Sequence, residues 1–487
     1  MEKKEIVKET SIYFIATIMV SILGFILSLL YSKMFSPYDY GVFSIVYGTY
    51  NLITNICSGW IVAAIIRNFK LYEKNSRKKE FYGSFYQFQI FLAIIFIILP
   101  NIVLIPLKLD ELTKNIFFIF TIIYFFEQSL LIINTMLRGE QNSKQYSINN
   151  ILNSFLKIVI ILFLYYIVGY TSITVITISL LLSEIIQYIY MFRKLKLGQY
   201  YKKGLFNFNI IKEMFLYGFP LMGVSLTSWI LNLSDIYIIQ FFYTSNEVGL
   251  YSYAYSLGNS LFGLLIQFIM LGAYPNIVKA WEEKGKKEAS KVIEQYLKIY
   301  FFIMIPACFG VMAVAKKFFQ NFIDIEYLDS YKVFIITCIS IAVLGLTQYT
   351  NKVWELTKKT KTILLLNIIS AILNIILNFI MIPRFTYEMG AVTTLISYII
   401  YLVISIILSR KIMKICIDSK SLLKVICASL IMYTLIMIFD RYVHINGILS
   451  LLLEIIIGVI AYIIMLFITK TINKENIKEL RFNMHKI

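Results

Sequence analysis

A lysine set about ten residues into an apolar stretch long enough to cross a bilayer is the sharpest chemical signal in the sequence. Lys157 follows Asn150, Asn153 and Ser154 at i, i+3, i+4, i+7 spacing, so one stripe of a helix over residues 148–168 is polar. A charge at mid-bilayer depth costs about 2.5–3.5 kcal/mol on insertion scales, and it is kept where it faces a cavity or a counter-charge. Two carboxyls sit at similar depth on the neighbouring stretches, Glu127 and Glu184. Two uses follow. Lys157 serves an anionic substrate or a coupling ion in a cavity, or it closes a structural ion pair with Glu127 or Glu184. The two overlap, because a Lys and Glu pair beside a cavity can take up and release protons, which makes Glu127 and Glu184 candidate ion-coupling residues for H+ or Na+.

Other polar stripes are weaker candidates for lining a cavity. Asn51, Thr54, Asn55 and Ser58 form one; Ser225, Ser228, Asn232 and Asp235 form a second; Thr17, Ser21, Gly24 and Ser28 give a small-residue face. Asn367, Ser370, Asn374 and Asn378 form a further stripe without a charge. Each is equally explained by helix packing through small and hydrogen-bonding residues. Arg67 ends the stretch over 42–66, as a cavity candidate or as an anchor that snorkels to the interface. Glu454 has no assigned role.

The elements that position these residues are membrane helices. The chain has 487 residues, of which 59% are hydrophobic and 15% charged, and its mean hydropathy is +0.75. That is too apolar for a soluble protein. Fourteen apolar stretches of about 20 residues recur, each enough to span a hydrocarbon core of about 30 Å. A β-barrel, with strands of roughly 10 residues of alternating polarity, is excluded. The net charge of +18 raises the question of nucleic acid, but most Lys and Arg fall in the termini and even-numbered loops, as in Arg67–Lys79 and Arg193–Lys203. That is the positive-inside pattern for both termini cytoplasmic, with the basic runs attracted to membrane lipids rather than nucleic acid. The first stretch is too long for a signal peptide and lacks a small-residue cleavage site, so it reads as an uncleaved helix. The five cysteines form no CxxC pair and read as small apolar filler.

The same inventory argues against an enzyme. No GxxxxGK[ST] motif is present, and the two histidines, His444 and His485, cannot build a metal site or a Ser/His/Asp triad. No extramembrane segment has room for a catalytic domain. No catalytic residue, metal or cofactor is therefore expected.

The chain also repeats itself. SPYDYGVFSIVYG from Ser36 returns as TSNEVGLYSYAYS from Thr244, so that Gly41, Ser44 and Tyr47 fall on Gly249, Ser252 and Tyr255. Asn150, Asn153 and Lys157 likewise fall on Asn367, Ser370 and Asn374. An even number of helices per copy gives two parallel six-helix lobes related by an axis along the membrane normal. The expected organisation is residues 1–200 as the first lobe with spans 1–6, 201–410 as the second with spans 7–12, and 411–487 as spans 13–14 with a basic cytoplasmic tail. A cavity between the lobes follows, and the tight turns at Gly41 and Gly249 read as scaffold. The comparison of copies isolates Lys157 as the charge the second lobe lacks.

SPYDYGVFSIVYG with WIVAAIIRNF, MLRGEQNSKQYSI, YGFPLMGVSLTSWILNLSDIYII, NEVGLYSYAYSLG and LTKKTKTILLLNIISAILNIILNFIMIP before MGAVTTLISY together resemble the polysaccharide transporter branch of the multidrug/oligosaccharidyl-lipid/polysaccharide exporter superfamily. These are Wzx-type flippases of lipid-linked oligosaccharides, and the similarity runs in order over nearly the whole chain. It departs at Asp235, followed by Ile236 where the family commonly has Arg. The resemblance implies a MATE-like all-α fold with a central cleft lined by the first two helices of each lobe. It implies a polyprenyl-pyrophosphate-linked oligosaccharide as substrate, moved across a bacterial plasma membrane by alternating access for O-antigen or capsule export. A polysaccharide polymerase is then an expected partner, and spans 13–14 an expected lipid-facing groove for the polyprenyl tail. The alternatives are a cation-coupled multidrug exporter of the same superfamily, which would want a carboxylate-dominated pocket and normally twelve helices, and a membrane-embedded glycan enzyme, which the missing loop disfavours.

Overall fold

The computed structural model describes residues 2–104, 109–202, 204–416, 418–443 and 447–469, and no strand occurs among them. His444, His485 and the expected basic tail lie outside the described residues. The helices in chain order are α1 (Glu2–Met34), α2 (Pro37–Lys74), α3 (Lys78–Leu104), α4 (Glu111–Gly139), α5 (Ser143–Leu162), α6 (Thr174–Lys194), α7 (Phe208–Phe242), α8 (Ser245–Lys284), α9 (Lys286–Phe322), α10 (Tyr331–Leu356), α11 (Thr360–Met381), α12 (Met389–Arg410), α13 (Ser419–Tyr442) and α14 (Ile448–Ile468). Thirteen stretches among the described residues are long and apolar enough to cross a membrane. In hydrocarbon only a helix satisfies every backbone group within its own segment, which is why these runs are helices from end to end. The starts are set by side-chain caps: Asp110 accepts from Thr113 N at 3.0 Å and Asn142 from Gln145 N at 3.1 Å. Gly285 and Gly447, both at positive φ, break the chain between α8 and α9 and before α14.

By internal contacts the chain divides into two compact units, Met1–Gly249 and Leu250–Ile487. The repeat boundary expected near residue 200 is a different quantity: α7, whose sequence opens the second copy, packs along α2 in the first unit. Small residues make that packing close. A Cβ on Gly48 would stand 2.9 Å from the Tyr237 hydroxyl, and one on Gly218 would stand 2.6 Å from the Trp60 Cβ. Trp229 Nε1 donates to Gly48 O at 3.2 Å.

The repeated motif proves to be two helix starts in contact. Ser36 accepts from Asp39 N at 3.2 Å, while Thr244 donates through its hydroxyl to Glu247 at 2.6 Å, so each copy is a capping arrangement. Gly41 and Gly249 were expected to ease tight turns. Both instead lie inside helices, where a Cβ on Gly41 would fall 1.8 Å from Ser245 O and one on Gly249 would fall 1.7 Å from Pro37 O. The two repeat-related glycines are what lets the beginnings of α2 and α8 touch backbone to backbone.

The segment joining α6 to α7 is also firmer than a linker. A 3₁₀ turn, Leu197–Tyr201, lays Tyr200 and Tyr201 on Tyr86 of α3 at ring separations of 5.8 and 5.5 Å. Burial raises both phenols above their ordinary range. Ser84 donates to Leu205 O at 3.2 Å and accepts from Asn207 N at 3.0 Å, while Asn207 Nδ2 donates to Glu80 at 2.8 Å. The start of α7 is thereby tied to α3.

In the second unit α10 packs on α12 and α9, and the α13–α14 hairpin packs on α9. Pro275 and Pro306 lie inside α8 and α9, as membrane helices tolerate.

Candidate functional site

Three helices of the first unit bring their charges together at mid-span. Lys157 is about 15 Å from the Ile167 end of its membrane stretch and Glu184 about 15 Å from the Thr174 end of its own, at 1.5 Å per residue. Lys157 Nζ stands 3.6 Å from Glu184 Oε1, with the lysine side chain 24% and the glutamate 8% exposed. Of the two partners open in the sequence, Glu184 therefore takes the pair. Glu127 on α4 accepts the hydroxyl of Tyr50 on α2 and lies within electrostatic reach of Lys157. Glu184 Oε2 is buried and has no hydrogen-bond partner among the described residues. The cluster holds two carboxyls and one ammonium.

Aromatic rings wall the cluster on one side. Tyr50 stacks on Phe120 at 4.6 Å and Phe96 on Tyr124 at 4.0 Å, with Tyr124 hydrogen-bonded to Ser58 at 2.6 Å. On the other side runs an amide ladder. Asn153 donates to Gln187 of α6, Gln187 donates to Asn149 Oδ1 at 2.8 Å, and Asn149 donates to Asn134 of α4 at 2.7 Å. Just beyond Lys157, α5 ends in a π-helical turn, Phe163–Ile167, whose Tyr165 donates to Met34 O of α1 at 3.0 Å. The ladder and this turn fix the rotation of α5, so that Lys157 points at Glu184.

Of the remaining candidates, Asn153 belongs to this ladder and the others are placed elsewhere. Asn153 is joined to α6 through Gln187, while Asn150 and Ser154 bond back to their own helix. Asn51 donates to Tyr47 O at 2.9 Å. Arg67 lies 17 residues beyond Tyr50 on α2, about 25 Å along the axis, and stacks over the Tyr217 ring at 4.2 Å. Asn232 is half-buried and Asp235 fully buried on α7. Asn374 is buried between α11 and α12, donating to Thr394 at 3.0 Å and accepting from Asn378 at 3.1 Å. Lys157 and Glu184 are thus brought into direct contact, Glu127 stands near them, Asn153 flanks them through the ladder, and the other candidates are dispersed.

Several groups escaped the sequence reading. Tyr50 and Gln187 sit on helix faces whose rotation only packing sets. The second unit also keeps charges: Lys352 is buried on α10, 2.7 Å from Glu355 and 4.4 Å from the Tyr274 ring centre. Lys317 on α9 pairs with Asp440 of α13 and with Glu454 of α14, which is 1% exposed. The repeat copy of Lys157 is still the uncharged Asn374; Lys317 and Lys352 sit where α9 and α10 run beyond the apolar stretches that mark them. Glu454, without a role in the sequence, fastens the C-terminal hairpin to α9.

A family model described as polysaccharide biosynthesis protein matches residues 6–281, more than half of the chain. The chain belongs to that family. A MatE model also matches residues 220–380 of this family member. A probable low-salt glycan biosynthesis flippase of Haloferax volcanii is 22% identical over 275 residues, which are 56% of this chain and 58% of that protein. The chain thus spans less than two thirds of that curated relative. Among solved structures, the lipid II flippase MurJ in an inward closed conformation is similar at a TM-score of 0.76 and 19% identity, covering 93% of this chain and 97% of that one. An outward-facing multidrug resistance MATE transporter is similar at 0.58 and 14% identity, covering 84% and 95%. A transporter from Pyrococcus furiosus described as having a reversed-polarity binding pocket is similar at 0.58 and 14% identity, again covering 84% and 95%. The family member is a multi-pass membrane protein with the MATE-like fold of these transporters.

Proposed function

We propose that this protein flips a polyprenyl-pyrophosphate-linked oligosaccharide repeat unit from the inner to the outer leaflet of a bacterial plasma membrane, for export of a cell-surface polysaccharide. The family match supports glycan work. The single observation that carries the mechanism is Lys157, a partly exposed lysine at mid-span whose ammonium stands 3.6 Å from Glu184. At that distance the pair is longer than a charge-assisted hydrogen bond of about 2.7–2.9 Å, so its ammonium remains available to an anionic headgroup.

In this reading the two six-helix lobes alternate access to a polar cleft. The cleft replaces the water that sugars and pyrophosphate would lose in hydrocarbon, the cost that makes unassisted flipping slow. Lys157 offsets the headgroup's charge at the midplane, and Arg67 meets the headgroup at the cytoplasmic end of α2. The polyprenyl tail stays in lipid beside α13 and α14. The product passes to a polysaccharide polymerase at the outer face.

The alternative is a cation-coupled multidrug exporter; the MatE match over residues 220–380 keeps it in view, and the wider polysaccharide biosynthesis match over residues 6–281 does not favour it. Deleting the gene separates the two. The flippase reading expects lipid-linked repeat units to accumulate on the cytoplasmic leaflet and surface glycan to be lost; unchanged glycan with heightened drug sensitivity would overturn it.

A further inference from the structure

Polar side chains without partners are expensive in a membrane span, and α8 carries two. At the 208-residue offset of the repeat the stretch over 42–66 falls on 250–274, which holds no Asp, Glu, Lys or Arg. Asn259 lies about 14 Å from the Leu250 end of that stretch and Gln267 about 11 Å from its Tyr274 end, at 1.5 Å per residue. Both carboxamides are exposed, and neither makes a hydrogen bond among the described residues. The amides of α2 behave otherwise: Asn51 donates to Tyr47 O and Asn55 to Asn51 O, both at 2.9 Å, so they are spent on their own helix. Asn259, Gly263, Gln267 and Tyr274 fall within about 80° of one another at about 100° per residue. A Cβ on Gly263 would meet nothing within 4 Å, so the face is open between the two amides. Where the stretch ends, the Tyr274 ring is 49% exposed, and Lys352 Nζ stands 4.4 Å from its centre. Another face of α8 does the packing: a Cβ on Gly258 would lie 3.1 Å from Thr337 of α10, and Asn276 donates to Tyr296 of α9 at 2.7 Å. Turned to hydrocarbon, the two amides would lose water and gain nothing, so their face is turned to water.

We infer that this face of α8 is a sugar-binding track, with Asn259 and Gln267 hydrogen-bonded to the hydroxyls of an uncharged glycan and a sugar ring laid on Tyr274. The inference rests on the flippase reading and deepens it, assigning the glycan to α8 and the diphosphate to Lys157. The chemistry of the face selects this ligand. A sugar hydroxyl both donates and accepts, and a carboxamide offers two donors and an acceptor oxygen in one plane, so a single amide can bridge neighbouring hydroxyls. The C–H face of a sugar ring is apolar and stacks on an aromatic face, which Tyr274 presents beside a lysine whose charge Glu355 balances at 2.7 Å. With no charged residue over 250–274, the face has nothing to hold a second anion. An acyl chain, the other occupant of an exposed helix face in a membrane, offers the amides no partner. From Asn259 to Tyr274 the face runs about 22 Å, enough for several sugar rings in a row.

The test compares two ligands on the purified full-length protein: undecaprenyl diphosphate, and the lipid-linked glycan extracted from the deletion strain. Wild type should bind the glycan-bearing lipid about tenfold more tightly, the gain expected of two or three net hydrogen bonds. Asn259→Ala/Gln267→Ala should abolish that gain while leaving the affinity for undecaprenyl diphosphate as it is in wild type. Gly263→Leu, which fills the open space between the amides, should do the same, and it is held to the same criterion if the double variant does not fold. A glycan gain kept in the variants would overturn the track, as would equal binding of the two ligands by wild type. A parallel fall in affinity for both ligands would mark a structural role for the amides and overturn it too. These outcomes leave the flippase reading standing. If the deletion strain accumulates no lipid-linked glycan, the flippase reading itself fails and the track falls with it.

Discussion

Replacing Lys157 by Met separates an ion pair that only holds helices from one whose cation works on the substrate. At 3.6 Å the Lys157–Glu184 pair has a gross Coulomb attraction of about 4–5 kcal/mol at an effective dielectric of about 20. Deleting one partner of a buried pair costs about 3–5 kcal/mol, because the other charge stays behind uncompensated. With Lys157 partly exposed, the lower end, about 3 kcal/mol, is expected. Lys157→Met should therefore lower the thermal midpoint of the purified protein, and the Lys157→Met/Glu184→Gln double variant should recover most of that loss, since it leaves no orphaned charge. Transport should not follow stability. Assayed by restoration of surface polysaccharide in a deletion strain at matched expression, both variants should fail. If the double variant is as stable as wild type and exports normally, Lys157 is a structural counter-ion and its proposed role is wrong.

Other outcomes follow from the packing. Gly41→Ala should abolish accumulation of folded protein, because its Cβ would lie 1.8 Å from Ser245 O; Gly24→Ala, with nothing within 4 Å, is the matched control, and equal yields would contradict the helix-start contact. Lys317→Met should destabilise by about 3–5 kcal/mol by orphaning Glu454, and Lys317→Met with Glu454→Gln should recover much of it, as read from thermal midpoints. Asp418 caps α13 by accepting from the Ser421 hydroxyl and backbone N–H, contacts that hold its carboxyl below the ordinary aspartate range. Its contribution is thus present at neutral pH and lost as pH falls through the lowered value. Asp418→Ala should cost about 1 kcal/mol at pH 7, with a smaller penalty in acid, and an equal penalty at pH 7 and in acid would refute the cap's ionic character.

The fold was legible because it is written locally. Each apolar run is read from its own consecutive residues, and the echo of SPYDYG in TSNEVG is read by comparing two short stretches, both of which prove to be helix starts. The site was half legible. Depth along a helix can be counted, which singled out Lys157, Glu127 and Glu184, whereas rotation about the axis cannot. Whether Lys157 meets Glu127 or Glu184 depends on the Asn153–Gln187–Asn149 ladder, a tertiary arrangement with no local signature. The same limit hid Tyr50 as the partner of Glu127. The glycines were noticed as a repeat but misplaced as turns, since their cause is a backbone contact 208 residues apart. Lys317 and Lys352 were missed because their helices outrun the apolar core that marks them.

The central claim, movement of a lipid-linked glycan between leaflets, is tested most directly in vesicles. Purified protein would be reconstituted with a fluorescent polyprenyl-pyrophosphate-linked oligosaccharide on one leaflet, and its arrival on the other read by a membrane-impermeant sugar-modifying reagent. The account predicts transfer that requires the protein and is lost in Lys157→Met. Equal arrival in protein-free vesicles, or none in vesicles where the same protein moves a cationic dye, would contradict it.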